Sequence, residues 1–194
     1  MKILIDNGHG WNTKGKCSPD GSLREYKWAR EIAQRIVDGL TSRGYDAERI
    51  VTEQDDVSLS ERCRRVNAHC AELGADNVLL VSVHINAAGT GDWRAASGWS
   101  GWVYTHASDR SKKLARLLYG EAEKRNLQGN RYVPSSKYWL ANFYILKNTS
   151  CPAVLTENLF MDNRKDVAYL LSDAGKEAIT SLHVDGIISY VEEG

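Results

Sequence analysis

Three short aliphatic runs stand out along the chain, and each is followed closely by a polar residue with useful chemistry. Residues 3–5, 78–81 and 153–155 lead to His9, His84 and Glu157, respectively. Continuous runs of this kind are typical of strands that are buried on both faces of a largely parallel sheet. Residues just past the carboxyl ends of such strands gather in one crevice. The pattern therefore predicts that these three side chains lie together.

Apolar residues at helical spacing fill the intervals between these runs. A core-facing helix is predicted to begin near Glu25 and to end before Gly44, where a left-handed cap is expected. Ser58 and Ser108 have the character of N-caps for two further helices. A closing amphipathic helix is predicted over residues 173–192. Glu25, at the start of the first helix, can reach the same crevice as the strand-end residues.

The remaining segments complete an alternating order of strands and helices. Further strands are predicted at residues 45–52, 98–105 and 143–146, and loops at residues 7–22, 87–98 and 128–140. The alternation predicts a three-layer α/β/α fold, with a mostly parallel, mixed and twisted sheet flanked by helices. Because no linker or internal repeat interrupts the pattern, residues 1–194 are expected to form a single catalytic domain.

Composition narrows the classes of partner. The 194 residues include 42% hydrophobic residues, and 25 acidic side chains balance 25 basic ones, so no net charge attracts nucleic acid or an anionic membrane. The basic residues Arg62, Arg64 and Arg65 are expected on a solvated helix face. No run approaches the roughly 20 apolar residues needed to span a bilayer, and the first strand begins without a secretory signal before it.

The four cysteines offer little support for a thiolate metal site. Cys17, Cys63, Cys70 and Cys151 form no C-x-x-C pair and are expected to be free.

Histidine and glutamate provide the alternative. Hydrolytic zinc sites commonly use three His and carboxylate ligands and leave a fourth position open. His9, Glu25 and His84 supply that set for one zinc ion per chain, and Gly8 and Gly10 on either side of His9 allow a sharp turn. Glu157 would then serve as the carboxylate that activates water. The other histidines, His69, His106 and His183, are expected to have structural roles.

The segments around these residues resemble the four motifs of zinc-dependent N-acetylmuramoyl-L-alanine amidases of the type 3 class. They comprise residues 6–10, 23–25, 82–87 and 155–160 with Asn163. The resemblance implies a mixed sheet flanked by helices and cleavage of the amide between the lactyl group of N-acetylmuramic acid and L-alanine in peptidoglycan. It implies that His9, Glu25 and His84 bind zinc and that Glu157 acts as general base and acid. The chain departs from the usual pattern at Asn7, where proline is usual, and at Asn158 and Leu159, where a small residue and glycine are usual.

Contacts to substrate are less strongly indicated. Asn86, two residues beyond His84, is a candidate for orienting the site or polarising the substrate carbonyl. Trp11 and Trp93 lie in loops beside the two histidines and are candidates for stacking on sugar rings. Asp6 is expected either to hydrogen-bond a ligand histidine or to cap a turn.

Two other functions remain open from the sequence. The chain could be a non-catalytic module that binds glycan or cell wall, or a zinc peptidase or deacylase that acts on a different amide. With neither signal nor anchoring module, it resembles a phage lysin that is made in the cytoplasm and acts on the cell wall after release.

Overall fold

The computed structural model describes residues 1–193. The strands are β1 (Lys2–Asn7), β2 (Asp46–Arg49), β3 (Val78–Asn86), β4 (Ser100–Tyr104), β5 (Trp139–Ala141) and β6 (Ala153–Phe160). The helices are α1 (Glu25–Thr41), α2 (Leu59–Leu73), α3 (Asp109–Lys124), α4 (Tyr144–Lys147), α5 (Arg164–Leu171) and α6 (Asp173–Glu192), with a 3₁₀ turn at Ala75–Asn77.

The strands of this part of the chain form one mixed sheet in the order β2-β1-β3-β6-β4-β5. Neighbouring strands pair in parallel except β4 and β6, which are antiparallel. Helices α1, α3, α5 and α6 cover one face, and α2 and α4 cover the other. The three-layer α/β/α prediction is confirmed.

Alternation along the central strands decides which side chains reach each layer. In β1, Ile3 and Ile5 pack into the larger core under α1, whereas Leu4 packs into the smaller core under α2. Successive side chains of a strand point to opposite faces. Asp6 therefore follows Leu4 onto the α2 face, and His84 follows Leu80 onto that face. The polar residues at the end of each strand therefore lie on the α2 face, just beyond the apolar residues of the smaller core.

The strands that carry the predicted site are longer than the aliphatic runs suggest. His84 lies inside β3 and Glu157 inside β6, whereas the sequence pattern placed both beyond the strand ends. The backbone hydrogen bonds of the ladder continue after the side chains become polar. By contrast, the strand predicted over residues 45–52 is shorter than expected, because only Asp46–Arg49 form β2.

Two helices were not predicted. The strand predicted over residues 143–146 is wrong, because α4 occupies Tyr144–Lys147. A run of four apolar residues contains too little periodicity to separate a strand from a helical turn. Helix α5 follows β6 directly and begins at the N-cap Asn163, whose side chain accepts hydrogen bonds from the Lys165 and Asp166 amides. The loop predicted over residues 128–140 is shorter than expected, because β5 begins at Trp139.

Other sequence predictions hold. Ser58 and Ser108 cap α2 and α3, and α1 ends at Thr41, shortly before Gly44 at φ 86°. Cys17 is exposed, the other three cysteines are buried, and all four are free. Across residues 1–193, none of the helices combines the length and apolar character that crossing a bilayer requires.

Helix α6 has the predicted bounds, but its buried residues are not confined to one face as an amphipathic helix would require. It lies between α1 and α3 and contacts α5 as well, so residues around much of its circumference are buried. Gly186 permits the close approach to α3. A Cβ atom there would lie 2.8 Å from Leu118 Cδ2 and 3.2 Å from Leu118 Cα.

We expect Gly186→Ala to destabilise the protein. Overpacking costs about 1–3 kcal/mol, which exceeds the roughly 1 kcal/mol that alanine gains over glycine in a helix. The control is Gly120→Ala in α3, where an added Cβ meets nothing within 4 Å and only the helix gain remains. Urea unfolding should place G186A below the wild type and G120A at or above it. An equal midpoint for the two variants would contradict the tight α3–α6 contact.

Candidate active site

The loop after β1 turns sharply at His9. The φ angle of His9 is 61°, a left-handed conformation that is uncommon for residues other than glycine. Both flanking glycines are required by their surroundings. A Cβ on Gly8 would lie 2.3 Å from His84 Cε1, and one on Gly10 would lie 2.0 Å from the Asp56 amide nitrogen. The turn therefore brings His9 against His84, with ring centroids 5.1 Å apart.

Glu25 lies between the two imidazoles. It is the first residue of α1, and its amide donates to the Lys16 carbonyl, which fixes the preceding loop against the helix. One carboxylate oxygen is 3.4 Å from His9 Nε2, and the other is 3.2 Å from His84 Nδ1. One ligand atom from each of the three residues lies within 4.8 Å of the others. The predicted trio is thus brought together.

The chemistry of this donor set fits a divalent cation. Glu25 is buried; its Oε1 accepts from the Ile85 amide, and within residues 1–193 its Oε2 has no hydrogen-bond partner. An unpaired buried carboxylate oxygen is costly. A metal ion held jointly by His9, Glu25 and His84 would satisfy it, and imidazole and carboxylate are both ligands that zinc accepts.

The ionisation of the three residues reflects their burial. Burial lowers the pKa of His9 to about 4, so its imidazole is neutral at pH 7 and has a free lone pair. Burial alone would raise the pKa of Glu25, but the hydrogen bond and charge of His84, with the charge of His9, lower it. Burial alone would lower the pKa of His84, but the Glu25 hydrogen bond and charge raise it.

A chain of hydrogen bonds orients His84 from behind. Its Nε2 is 3.2 Å from Ser82 Oγ, and the Ser82 hydroxyl donates to Asp6 Oδ2 at 2.5 Å. Ser82 donates its single hydroxyl proton to the Asp6 carboxylate. Its oxygen can therefore only accept a hydrogen bond from His84 Nε2–H. This leaves Nδ1 facing Glu25. Asp6 therefore supports a ligand histidine, as one of its two predicted roles required, but does so through Ser82.

Arg62 completes this chain and corrects a prediction. It was expected on a solvated helix face, yet it is 2% exposed and donates to Asp6 Oδ1, to Asp56 and to the Asn7 carbonyl. The helical wheel placed it with Arg64 and Arg65, whereas its side chain reaches under the loop that contains His9. Two carboxylates compensate the buried guanidinium, as burial of a charge requires.

Glu157 stands beside the trio on the neighbouring strand. It pairs with His84 in the parallel register of β3 and β6, so both side chains emerge on the α2 face. Its Oε2 is buried and has no hydrogen-bond partner among the described residues. Burial raises the pKa of Glu157 to about 7, and the nearby charges of His84, Lys16 and Arg131 oppose that rise. A carboxyl group with this pKa can accept and return a proton near neutrality.

A cavity of about 230 Å³ opens onto these residues. Its polar lining includes His9, His84, Glu157, Asp6, Arg62 and Lys16, and its apolar lining comprises Leu59, Phe143, Tyr144, Ile145 and Leu155. The start of α4 thus forms part of the wall. The sequence did not predict that Lys16, Arg62 and α4 line this cavity. A single basic residue in a polar loop or helix does not indicate which part of the structure its side chain will contact.

The three predicted substrate contacts are dispersed. Asn86 lies on the same face of β3 as His84, opposite Phe160, and its Oδ1 accepts from the Ala87 amide. Trp11 is 59% exposed and lines a groove with Lys14, Lys16 and Tyr26 beside the cavity. Trp93 packs against the larger core and lines a different groove, where the Arg164 guanidinium lies 4.3 Å from its ring. The roles of all three stay predictions.

Comparison with known proteins identifies the family. The sequence model described as N-acetylmuramoyl-L-alanine amidase matches residues 3–189. The chain belongs to the N-acetylmuramoyl-L-alanine amidase family. The family prediction, with its enzyme class, is confirmed.

Individual relatives agree with this membership. An endolysin of Bacillus phage SPP1 is 32% identical over 189 residues, which are 95% of this chain and 64% of that protein. An N-acetylmuramoyl-L-alanine amidase of Bacillus licheniformis is 29% identical, and this chain spans 67% of its length. The amidase structure from Clostridium difficile 630 aligns with a TM-score of 0.81 and 26% identity over 98% of this chain and 96% of that chain.

This amidase-family chain has an unusual residue after Glu157. Leu159 adopts φ 63° where the resembling motif has glycine. The β3–β6 register shifts there, with His84 opposite Glu157 but Asn86 opposite Phe160, so Leu159 belongs to a β-bulge. Its side chain is 4% exposed in the larger core, and this burial offsets the backbone strain.

Asn158, a second departure from the motif, links the strand of Glu157 to its surroundings. Its Nδ2 donates to the His84 carbonyl at 2.9 Å, and its Oδ1 accepts from the Trp99 indole N–H at 2.8 Å. Asn158 also contacts the Thr156 hydroxyl, which lies 2.9 Å from His183 Nε2. The residue that replaces the usual small side chain therefore completes a buried polar network behind the site.

Ser82→Ala should weaken metal binding. It removes the acceptor for His84 Nε2–H, and loss of such a partner typically costs 10- to 100-fold in affinity. Competition between the protein and a fluorescent zinc chelator measures the change, with Ser181→Ala on the outer side of α6 as the control. Unchanged affinity for S82A would show that Ser82 does not orient the ligand.

His183→Gln should make folding less sensitive to acid. Burial lowers the pKa of His183 from 6.5 to about 4, so the unfolded chain binds more protons between those values. The stability linked to neutral His183 is present above pH 6.5 and is lost as the pH falls toward 4, by roughly 3 kcal/mol. Urea unfolding at pH 7.5 and pH 4.5 should show the gap between wild type and H183Q narrowing in acid. A constant gap would be inconsistent with a neutral buried His183.

Proposed function

We propose that this chain is a zinc-dependent amidase that hydrolyses the bond between the lactyl group of N-acetylmuramic acid and L-alanine in peptidoglycan. The observation that supports it best is the meeting of two imidazoles and the buried Glu25 carboxylate beside Glu157, which is the strand partner of His84 and whose buried Oε2 has no hydrogen-bond partner in residues 1–193. Membership in the amidase family supplies the substrate class.

His9, Glu25 and His84 would hold one zinc ion per chain. When bound there, zinc supplies a Lewis acid that polarises a carbonyl and lowers the pKa of water. The chain's own contribution is rigidity. The left-handed turn at His9, the start of α1 at Glu25 and the Ser82–Asp6–Arg62 chain behind His84 fix the three ligands before any substrate arrives.

Glu157 would move the protons of the reaction. As a carboxylate it accepts a proton from the attacking water, and as a carboxylic acid it returns one to the amine of L-alanine as that amine leaves. Burial suits both roles because it raises the pKa of Glu157 to about 7. The apolar wall of Phe143, Tyr144 and Leu155 limits water beside this carboxyl group and maintains that shift.

The biological setting follows from the relatives. The SPP1 protein is named an endolysin, which supports a lytic action on the cell wall. Since this chain spans 64% of that relative, we propose that residues 1–194 form one catalytic domain. Asn86 and Trp11 are proposed substrate contacts, on the β3 face and in the groove beside the cavity.

Glu157→Gln should abolish most turnover while leaving the metal in place. Loss of proton transfer costs about 10²- to 10⁴-fold in rate, whereas the glutamine amide retains the shape of the side chain. Purified sacculi, digested by wild type or E157Q and analysed by mass spectrometry, measure turnover and product together. Zinc content is measured on the same samples, with Glu177→Gln on α6 as the control.

The products distinguish the alternatives. An amidase releases intact stem peptides that begin at L-alanine. Peptides cut between amino acids, or loss of acyl groups, would indicate a peptidase or deacylase instead. A wild-type chain that binds sacculi without releasing any product would be a wall-binding module, and the proposal would be wrong.

A further inference from the structure

Arg131 lies in an aromatic cluster close to Glu157. Its guanidinium carbon is 4.7 Å from the centre of the Trp139 ring, 5.6 Å from that of Phe160 and 5.8 Å from that of Trp102. Cation–π contacts of this kind hold a guanidinium in place without using its N–H groups. The side chain is half-buried, so the aromatic rings fix its position while part of it still faces solvent.

The hydrogen-bonding capacity of Arg131 is largely unused. Its Nη1 donates to Ser100 Oγ at 2.8 Å, and no carboxylate of residues 1–193 forms a salt bridge with it. A guanidinium has five N–H donors. By comparison, buried Arg62 pairs with two aspartates, and Arg125 pairs with Glu121 and Asp185.

The sheet places these unused donors next to the proton-transfer residue. Ser100 is the direct partner of Glu157 in the antiparallel pairing of β4 with β6. Directly opposed residues have Cβ atoms about 4.5–5.5 Å apart on one face of the sheet. Arg131 is hydrogen-bonded to Ser100 and is therefore separated from Glu157 only by the Ser100 side chain. Its charge is among those that oppose the rise in the pKa of Glu157.

The order of the strands determines the order in which the site residues lie across the sheet. Across the sheet, the loop after β1 supplies His9, β3 supplies His84, β6 supplies Glu157 and β4 supplies Ser100 with Arg131. Arg131 thus lies on the far side of Glu157 from the metal ligands. Under the proposed function the leaving amine receives its proton from Glu157, and a stem peptide that extends from that amine across β6 toward β4 would reach Arg131.

We propose that Arg131 forms a carboxylate-binding subsite for the leaving stem peptide and makes the enzyme selective for a free acid next to L-alanine. This rests on the proposed amidase function. An arginine held by flat aromatic neighbours presents paired N–H groups that match a carboxylate, and a carboxamide cannot replace both acceptor oxygens. The substrate class is an N-acetylmuramoyl peptide whose second residue has an unmodified α-carboxylate.

Two synthetic substrates test the subsite. N-acetylmuramoyl-L-alanyl-D-glutamate and N-acetylmuramoyl-L-alanyl-D-isoglutamine both keep the γ-carboxylate and differ only at the α position, which is a carboxylate in the first and a carboxamide in the second. We expect wild-type kcat/KM to favour the acid by about 10- to 100-fold, mainly through KM. Arg131→Met should lower turnover of the acid to that of the amide and leave the amide nearly unchanged, while Arg131→Lys should keep part of the preference.

The control is Arg116→Met, which removes another arginine that stacks on an aromatic ring, Tyr138, but lies on α3. R116M should keep the wild-type preference. Thermal melting shows whether R131M and R131K remain folded.

The outcomes are distinguishable. If Arg131 only supports the aromatic cluster, R131M lowers turnover of both substrates equally and the preference survives, which overturns the subsite. Equal cleavage of both substrates by wild type also overturns it, while the amidase function stands. If wild type cleaves neither, the proposed function fails and the subsite fails with it.

Discussion

Parallel pairing of β1, β3 and β6 is the constraint on which the site depends. The pairing aligns three buried strands so that their polar ends emerge at one edge of the sheet, on the face covered by α2 and α4. His84 and Glu157 are neighbours because they are partners in the ladder. A shift of one residue in that register would send Glu157 to the opposite face.

Much of the fold and the meeting of His9, Glu25 and His84 could be predicted because they follow from local patterns. Aliphatic runs identify the buried strands, serine caps identify helix starts, and Gly8 and Gly10 mark the turn at His9. The roles of Arg62 and Arg131 could not be predicted, because each depends on a partner that is distant in sequence: Asp6 is 56 positions from Arg62, and Ser100 is 31 positions from Arg131. The same limit explains α4, where four apolar residues fit either period and only packing against β4 and β6 selects the helix.

Two of the four non-glycine residues with positive φ angles among residues 1–193 lie at the site. His9 and Leu159 both adopt positive φ angles, one in the turn that presents a candidate metal ligand and one in the bulge beyond Glu157. Each is stabilised by its surroundings, His9 by the packing around Gly8 and Gly10 and Leu159 by burial in the larger core. Conformations of this kind persist only where neighbouring structure determines them.

The two layers of helices are unequal. Four helices cover the larger core, whereas the face that contains the site is covered by α2 and by the short α4. Regions with fewer buried apolar contacts open at lower free energy than the rest of a protein. We therefore expect local unfolding to begin at α4, which lines the cavity. Opening at α4 would therefore widen the cavity that Glu157 lines, on the face of the sheet away from the larger core.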